Sequence, residues 1–327
     1  MEKTPEYIDF LKTRISPNVK PEIAKLMIEY ALDPEEHSKT YQKIHDYVFE
    51  RKTPDPNPKI FLVISQTGGG KSGLTSQIME KYPNTVVIDS DAFKAFNPRR
   101  KEITEKYPTL YGYLTGIDAY LHRDEIYNEA LEKGYNVLIE IAPSIKERLF
   151  NIDFDELEKY GYQVHANVLA VSKINSLLSV HERFEGQIEA KMDSPKLTDL
   201  KRAIESYDAV ELVLKDLIDM KDINLSLWKR NPDGEVLEGE EMPRSKFITD
   251  DKLEALECLK EARKEDEELT IKTAQERIDL VKKQMRERKA PVEQRAQFEK
   301  IEQMIMEILK TYQWMVTNEK KKNNKKG

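Results

Sequence analysis

An α/β fold is what this 327-residue sequence predicts: a parallel sheet covered by helices on both faces, with a helical extension at each end. Three observations carry that expectation. Between Lys59 and about Asp233, short apolar runs alternate with amphipathic stretches, the pattern of strands buried on both faces. Gly134 and Gly161 each stand just before such a run, where a helix C-cap hands over to a strand. A glycine-rich turn, Gly68-Gly69-Gly70, follows the first run almost directly.

Residues 1–52 read as two or three short helices. Pro21 suits a first helical position, and Ile23, Leu26, Met27 and Tyr30 follow at helical spacing. Asp33-Pro34 breaks the pattern before Tyr41, Ile44 and Val48 resume it. Thr53-Pro54-Asp55-Pro56-Asn57-Pro58 is a stiff linker, because proline lacks the amide a helix or inner strand needs. This sets the first boundary, 1–58. The strands of the second unit, 59–248, are expected at Ile60–Ile64, Thr85–Ile88, Asn136–Ile139, Tyr162–Val171 and Ile223–Trp228, and Asn231-Pro232-Asp233-Gly234 closes them as a turn. The third unit, 249–327, is helical and dense in both charges. Phe298, Ile301, Ile305, Ile308, Tyr312 and Met315 form a seam in steps of three and four. It is too short for a coiled coil of its own, and packs on this chain or on a partner helix. The end, Lys320 to Lys326, reads as a solvated, disordered tail.

Composition excludes several function classes. One cysteine, Cys258, allows neither a disulfide framework nor a cysteine zinc site. Fifty-three basic against sixty acidic residues, a net charge of −7, argues against a nucleic-acid binder that works by phosphate neutralisation. No stretch approaches the ~18 apolar residues of a membrane span, and the start has no apolar leader, so a cytoplasmic protein is expected.

The most informative segment is Ser65-Gln66-Thr67-Gly68-Gly69-Gly70-Lys71-Ser72, directly after a buried strand. It reads as a Walker A loop with Ser65 in place of the first glycine. Glycines let the backbone curl so that its amides point at an anion, and the helix starting near Lys71 adds its positive end. Lys71 then reaches the β- and γ-phosphates, and the Ser72 hydroxyl ligates Mg²⁺. A plain flexible turn would need neither the preceding strand nor the Lys-Ser pair.

Two further strands end in acids at the sheet edge where open α/β folds bind ligands: Ile88-Asp89-Ser90-Asp91 and Ile139-Glu140. Asp91 is placed to take a proton from an attacking hydroxyl; Glu140 orients the acceptor or holds a metal-bound water. Either Asp89 or Asp91 also suits the cap of the next helix. Arg183, on the helix after the fourth strand, offers a cation for the transferring phosphoryl group, although an arginine on a charged helix is commonly just solvated. Asp193 to Thr198 is a loop or lid. His181 and Cys258 are expected to be structural.

Over roughly Phe61 to Gly234 the chain resembles the zeta toxin family, kinase toxins of bacterial toxin–antitoxin systems. The resemblance rests on the loop Gln66–Ser72, on Val87 to Lys94, on Gly134 to Glu140, on Ala170 to Ser176 and on His181 to Glu185, in that order. It implies a P-loop kinase core and ATP- or GTP-dependent phosphorylation of UDP-N-acetylglucosamine on a sugar hydroxyl. It also implies Lys71 as the loop lysine among the nucleotide-binding residues Gly68 to Ser72, Asp91 as catalytic base, Ser90 and Glu140 as substrate-binding groups, and Arg183 as the phosphate-stabilising arginine. The family's second lid arginine has no clear counterpart. Lys196 falls at about its place, with Arg202 the nearest arginine, and lysine lacks the bidentate fork. Ile141-Ala142-Pro143-Ser144 also departs from the family's turn at the nucleotide sugar. The expected partners are a nucleotide sugar and an antitoxin, or the N-terminal helices acting in cis. Chemistry on another sugar, nucleotide or antibiotic hydroxyl, or a nucleotide-binding switch, are the alternatives.

Overall fold

The computed structural model describes residues 3–107, 110–146, 148–149, 152–192, 195–231 and 244–323, with side chains to residue 312. Six strands form one sheet: β1 (Lys59–Ile64), β2 (Val86–Ile88), β3 (Val137–Ile141), β4 (Gln163–Ala170), β5 (Ile223–Arg230) and β6 (Ser245–Thr249). Their order is β2-β3-β1-β4-β5-β6, and the first five run parallel. Because β1 lies between β3 and β4, its carboxyl end opens at the point where the chain's winding reverses, the usual crevice for a ligand.

The expected strands form, each within two residues or so of its expected ends. Gly134 and Gly161 adopt left-handed backbones, at φ 72° and 75°. In each case the next residue's amide reaches back to a carbonyl five positions earlier, Tyr135 to Ala130 and Tyr162 to Leu157, which closes the helix. β6 departs from the expectation of helix from Thr249 with no strand before it. It pairs antiparallel with β5 beside a register shift at Leu227/Trp228, so the sheet is mixed. Five residues, with Lys246 and Phe247 exposed, give too short an alternation to read from sequence.

The core lies on both faces of the sheet. One cluster joins Ile60, Leu62 and Ile64 to the helix Gly116–Glu132 and the helix Leu200–Asp219. A smaller cluster puts Phe61 and Val63 against the helix Lys71–Lys81. The N-terminal helices Pro5–Thr13, Pro21–Tyr30 and Pro34–Phe49 bury their apolar stripes on the same body. Ile44, Val48 and Phe49 join the main cluster, and Leu11, Met27 and Tyr30 pack with Ile103, Leu114, Ile117 and Leu121. Asp33 caps the third of these helices through a capping box with Glu36. The proline linker is docked as well: Asp55 donates its amide to the Gly134 carbonyl and accepts from Asn136.

The C-terminal seam packs on its own chain from Phe298 to Ile308, and the Met315 side chain lies outside the described ones. Helices Ala255–Glu287 and Val292–Asn323 form a long hairpin. Phe298, Ile301 and Ile305 meet Ala274, Ile278 and Val281 across it, and Ile174, Leu177 and Leu178 of the helix Lys173–Glu189 beneath it. The helix continues to Asn323, so Lys320 to Asn323 of the expected disordered tail are helical, as lysine's good helix propensity permits. The remaining tail, Pro232 to Gly234 of the expected turn, and Asp193 and Ser194 of the expected lid lie outside the described residues. Among the described residues, no helix is long and apolar enough to cross a membrane.

Candidate active site

The phosphate loop leaves β1 at Ser65, which keeps an ordinary backbone conformation in the position where the motif often has glycine. Its hydroxyl is buried and donates to the Leu169 carbonyl at 3.0 Å, while the Gln66 amide donates to Val171 at 2.8 Å. Both bonds tie the loop to the end of β4. The three glycines are then needed for different reasons. Gly68 and Gly70 have φ of 78° and 87°, and a Cβ on Gly68 would stand 2.2 Å from the Ser176 carbonyl oxygen. On Gly69 it would stand 2.1 Å from the Ser65 hydroxyl. The helix begins at Lys71, and among the described residues the amides of Gly70, Lys71 and Ser72 donate to no other group. That is a cradle of donors at a helix N-terminus, which suits a phosphate chain. Ser72, exposed at the helix start, suits the Mg²⁺ that accompanies such a chain.

Lys71 curls over the loop and donates to the Ser65 and Gln66 carbonyls, both at 3.2 Å. Desolvation pushes its pKa down to about 8; Glu140 opposes this, while Arg183, Arg202 and Lys196 add to it. Three sequence-picked side chains, Glu140, Arg183 and Lys196, are therefore near enough for their charges to act on Lys71. Glu140, at the end of β3, accepts from Thr75 at 2.7 Å, one helical turn after Lys71. Arg183 makes no hydrogen bond among the described residues. Burial lowers its pKa, and Asp91 and Glu140 act against that shift.

Asp89 and Asp91 separate cleanly. Asp89 is the N-cap of the short helix Ser90–Phe93, accepting from the Asp91 amide, with Ser90 half-buried at the helix start. Asp91 points away and accepts from Lys94 and from Lys196, each at 2.7 Å. Desolvation pushes its carboxyl up, but the two lysines outweigh that and hold it at about 2. Lys196, expected among the nucleotide-binding residues, is thus seen on the acidic side of the cleft. Arg202 donates to the Ala142 and Pro143 carbonyls at 2.5 and 2.8 Å, which fixes the unusual turn after β3. His181 is buried against Phe298, as a structural residue would be, and Cys258 is a half-buried free thiol.

Sequence reading missed Arg230, at the end of β5. Its guanidinium donates to the Gly68 carbonyl at 2.9 Å and the Gly69 carbonyl at 3.2 Å, and to Asn175 and Ser179 at 3.1 Å. Behind it stands the C-terminal hairpin. Arg277 forks onto Glu182 with two 2.6 Å bonds and also reaches Asn175, whose amide donates to Asp266. Only its place at the carboxyl end of a parallel strand hinted at Arg230.

Comparison with known proteins gives the family and the fold. The family model described as Zeta toxin matches residues 45–225, more than half of the chain. The toxin zeta proteins of Enterococcus hirae and Streptococcus pyogenes are each 33% identical over 135 residues, 39% of this chain and 45% of theirs. The alignment thus spans less than half the length of these curated relatives. A solved structure from the PezAT chromosomal toxin–antitoxin system of Streptococcus pneumoniae superposes with a TM-score of 0.58 at 17% identity. It covers 79% of this chain and 97% of that one, a likeness of fold.

Proposed function

This chain belongs to the zeta toxin family, and we propose that it is a nucleotide-dependent kinase that phosphorylates a sugar hydroxyl of UDP-N-acetylglucosamine. The observation that carries the reading is the meeting of Lys71, Glu140, Arg183 and Asp91 at the carboxyl ends of parallel strands, beside the amides of Gly70, Lys71 and Ser72, which donate to no group among the described residues. A binding module needs only the loop. The added acids and the free guanidinium suit phosphoryl transfer, which runs on positioning and charge stabilisation.

ATP or GTP with Mg²⁺ supplies the phosphoryl group, and Gly68 to Lys71 and the Ser72 hydroxyl are the groups suited to hold it. Lys71 leaves its loop carbonyls to meet the β/γ-phosphates. Arg183 balances charge on the transferring group. The acceptor hydroxyl attacks phosphorus as the bond to the leaving diphosphate breaks, and Asp91 receives the hydroxyl proton. Glu140, fixed by Thr75, and Ser90 orient the sugar. An antitoxin that restrains this activity is the expected partner, in keeping with the toxin–antitoxin system named for the structural neighbour. The test is incubation with Mg-ATP or Mg-GTP and a panel of nucleotide sugars, reading phosphate transfer by mass spectrometry. Transfer confined to UDP-N-acetylglucosamine supports the reading; transfer to another hydroxyl corrects the substrate; slow hydrolysis with no acceptor phosphorylated leaves a nucleotide switch.

A further inference from the structure

Outside the candidate active site, two helices meet through a second polar cluster. His37 lies on the helix Pro34–Phe49, and His122 and Glu125 lie one turn apart on the helix Gly116–Glu132. The His37 ring stacks on the His122 ring at 4.0 Å. Both rings address one carboxylate: His37 Nε2 is 3.0 Å from each oxygen of Glu125, and His122 Nδ1 is 3.4 Å from Oε2. The other nitrogen of each ring is buried and has no partner among the described residues, so Glu125 is the one polar group that the two rings share.

We propose that His37, His122 and Glu125 form a binding site for a divalent transition ion of the zinc type, which ties the N-terminal helices to the body of the protein. The donor set is the first reason: two imidazoles and a carboxylate suit zinc, copper or nickel, whereas magnesium takes oxygen ligands. Spacing is the second. The three donor atoms lie within 4.8 Å of one another. Around an ion with bonds of about 2.0–2.1 Å, the edge of a tetrahedron is about 3.3 Å, close to the two histidine–carboxylate distances here. Closing the histidine–histidine edge requires only a tilt of the stacked rings. A helical His and Glu three apart also present their donors on one face, as bundle metal sites do.

The next helical turn makes a useful contrast. Glu129 accepts from Tyr41, His45 and Lys133, so its charge is already balanced by an ammonium and two further donors. Glu125 has only the two imidazoles among the described residues. Access is graded as an open site requires: His122 is 1% exposed, His37 15% and Glu125 46%. Glu125 opens on a shallow surface depression lined also by His37, Tyr41 and Asn128, which leaves room for a water as fourth ligand.

The experiment uses the full chain, stripped with a chelator and then titrated with Zn²⁺ by calorimetry and with Co²⁺ by visible absorption. One ion per chain, a raised Tm and the intense d–d bands of tetrahedral Co²⁺ are expected. His37→Gln and Glu125→Gln should each weaken binding by about tenfold or more. His45→Gln, one turn away on Glu129, should leave it unchanged. His122 is buried and its replacement is avoided, since loss of fold would mimic loss of binding. No saturable Zn²⁺ binding, or equal binding by His37→Gln and the parent chain, overturns the site and leaves a hydrogen-bonded clasp between helices. None of these readings depends on kinase activity.

Discussion

On the side of the cleft proposed to hold the nucleotide, the loop is held from behind. Ser65 and Gln66 are buried and bonded to the end of β4, and Arg230 grips two loop carbonyls while Asn175 and Ser179 hold it from behind, Asn175 being held in turn by Arg277 and Asp266. On the side proposed to hold the acceptor, Asp91 stands between two lysines, with its side chain 51% and that of Lys196 62% exposed. Exposed ion pairs are weak and exchange partners easily, whereas a buried network resists loss of any member. The difference fits the two tasks of the proposed kinase. A triphosphate is always the same shape and rewards a rigid cradle. The acceptor side has to admit a bulky substrate, orient one hydroxyl and release the product.

The largest effects should come from breaking each side at its centre. Lys71→Ala removes the cation nearest the β/γ-phosphates, so transfer should be lost and nucleotide binding weakened together. Asp91→Asn should behave differently: nucleotide binding and fold persist, because Asp89 and not Asp91 caps the helix, while turnover falls by roughly 10²–10⁴-fold. Steady-state kinetics with a direct nucleotide-binding assay separates the two. If Asp91→Asn lost binding and stability as well, the division of the cleft into two independent sides would be wrong.

The brace should matter less than the cation it positions. Arg230→Lys keeps the charge but cannot reach two carbonyls and two side chains at once. Nucleotide KM should rise on the order of tenfold, equivalent to about 1.4 kcal/mol, with kcat changed far less. Arg277→Ala, one contact further back, should show a smaller rise in the same direction. Unchanged KM in both would mean that the loop holds its shape without the C-terminal hairpin.

Lys71 also gives the nucleotide side a pH signature. Its folded pKa is lowered to about 8, so the free protein loses this charge as pH rises through 8, well below the ordinary lysine value. Phosphates restore the charge, so nucleotide binding above pH 8 should take up close to one proton and weaken as pH climbs. Calorimetry at pH 8.5 in buffers of different ionisation enthalpy measures that uptake. For folding the sign is the same as for any depressed lysine: the burial penalty is present while the group is charged and is relieved between about 8 and 10.5.

What the sequence disclosed follows the same division. The loop is contiguous, and its glycine run, the Lys-Ser pair and the preceding strand stand together in the chain, so Gly68 to Ser72 were readable as a unit, although the contacts that exclude a Cβ at Gly68 and Gly70 come from distant Ser176 and Arg230. Asp89 and Asp91 were readable as a pair but not as individuals, because which one caps the helix depends on backbone geometry. Arg230 lies about 160 residues from the carbonyls it holds, and no local spacing links them. The strand that carries it appeared to end at Trp228, two residues too soon. β6 was hidden for another reason: an edge strand with exposed Lys246 and Phe247 has little periodic burial to display.

Lys196 offers the finest test, because it can belong to either side. Its place in the chain suggests the nucleotide, yet its ammonium lies on Asp91. Replacing it by Gln removes an exposed pair, so stability should change by less than about 1 kcal/mol. With Lys94 alone left beside Asp91, the carboxyl should rise from about 2 toward the ordinary aspartate range near 4. In the parent chain the ionised base persists down to about pH 2, so acid unfolding hides its protonation. In Lys196→Gln an acidic limb of kcat should emerge at higher pH, with nucleotide KM little changed. That outcome assigns Lys196 to the acceptor side as a positioning residue for the base. A raised nucleotide KM with no new limb would instead mean that Lys196 leaves Asp91 when the triphosphate arrives. It would then serve as the lid cation of the nucleotide side.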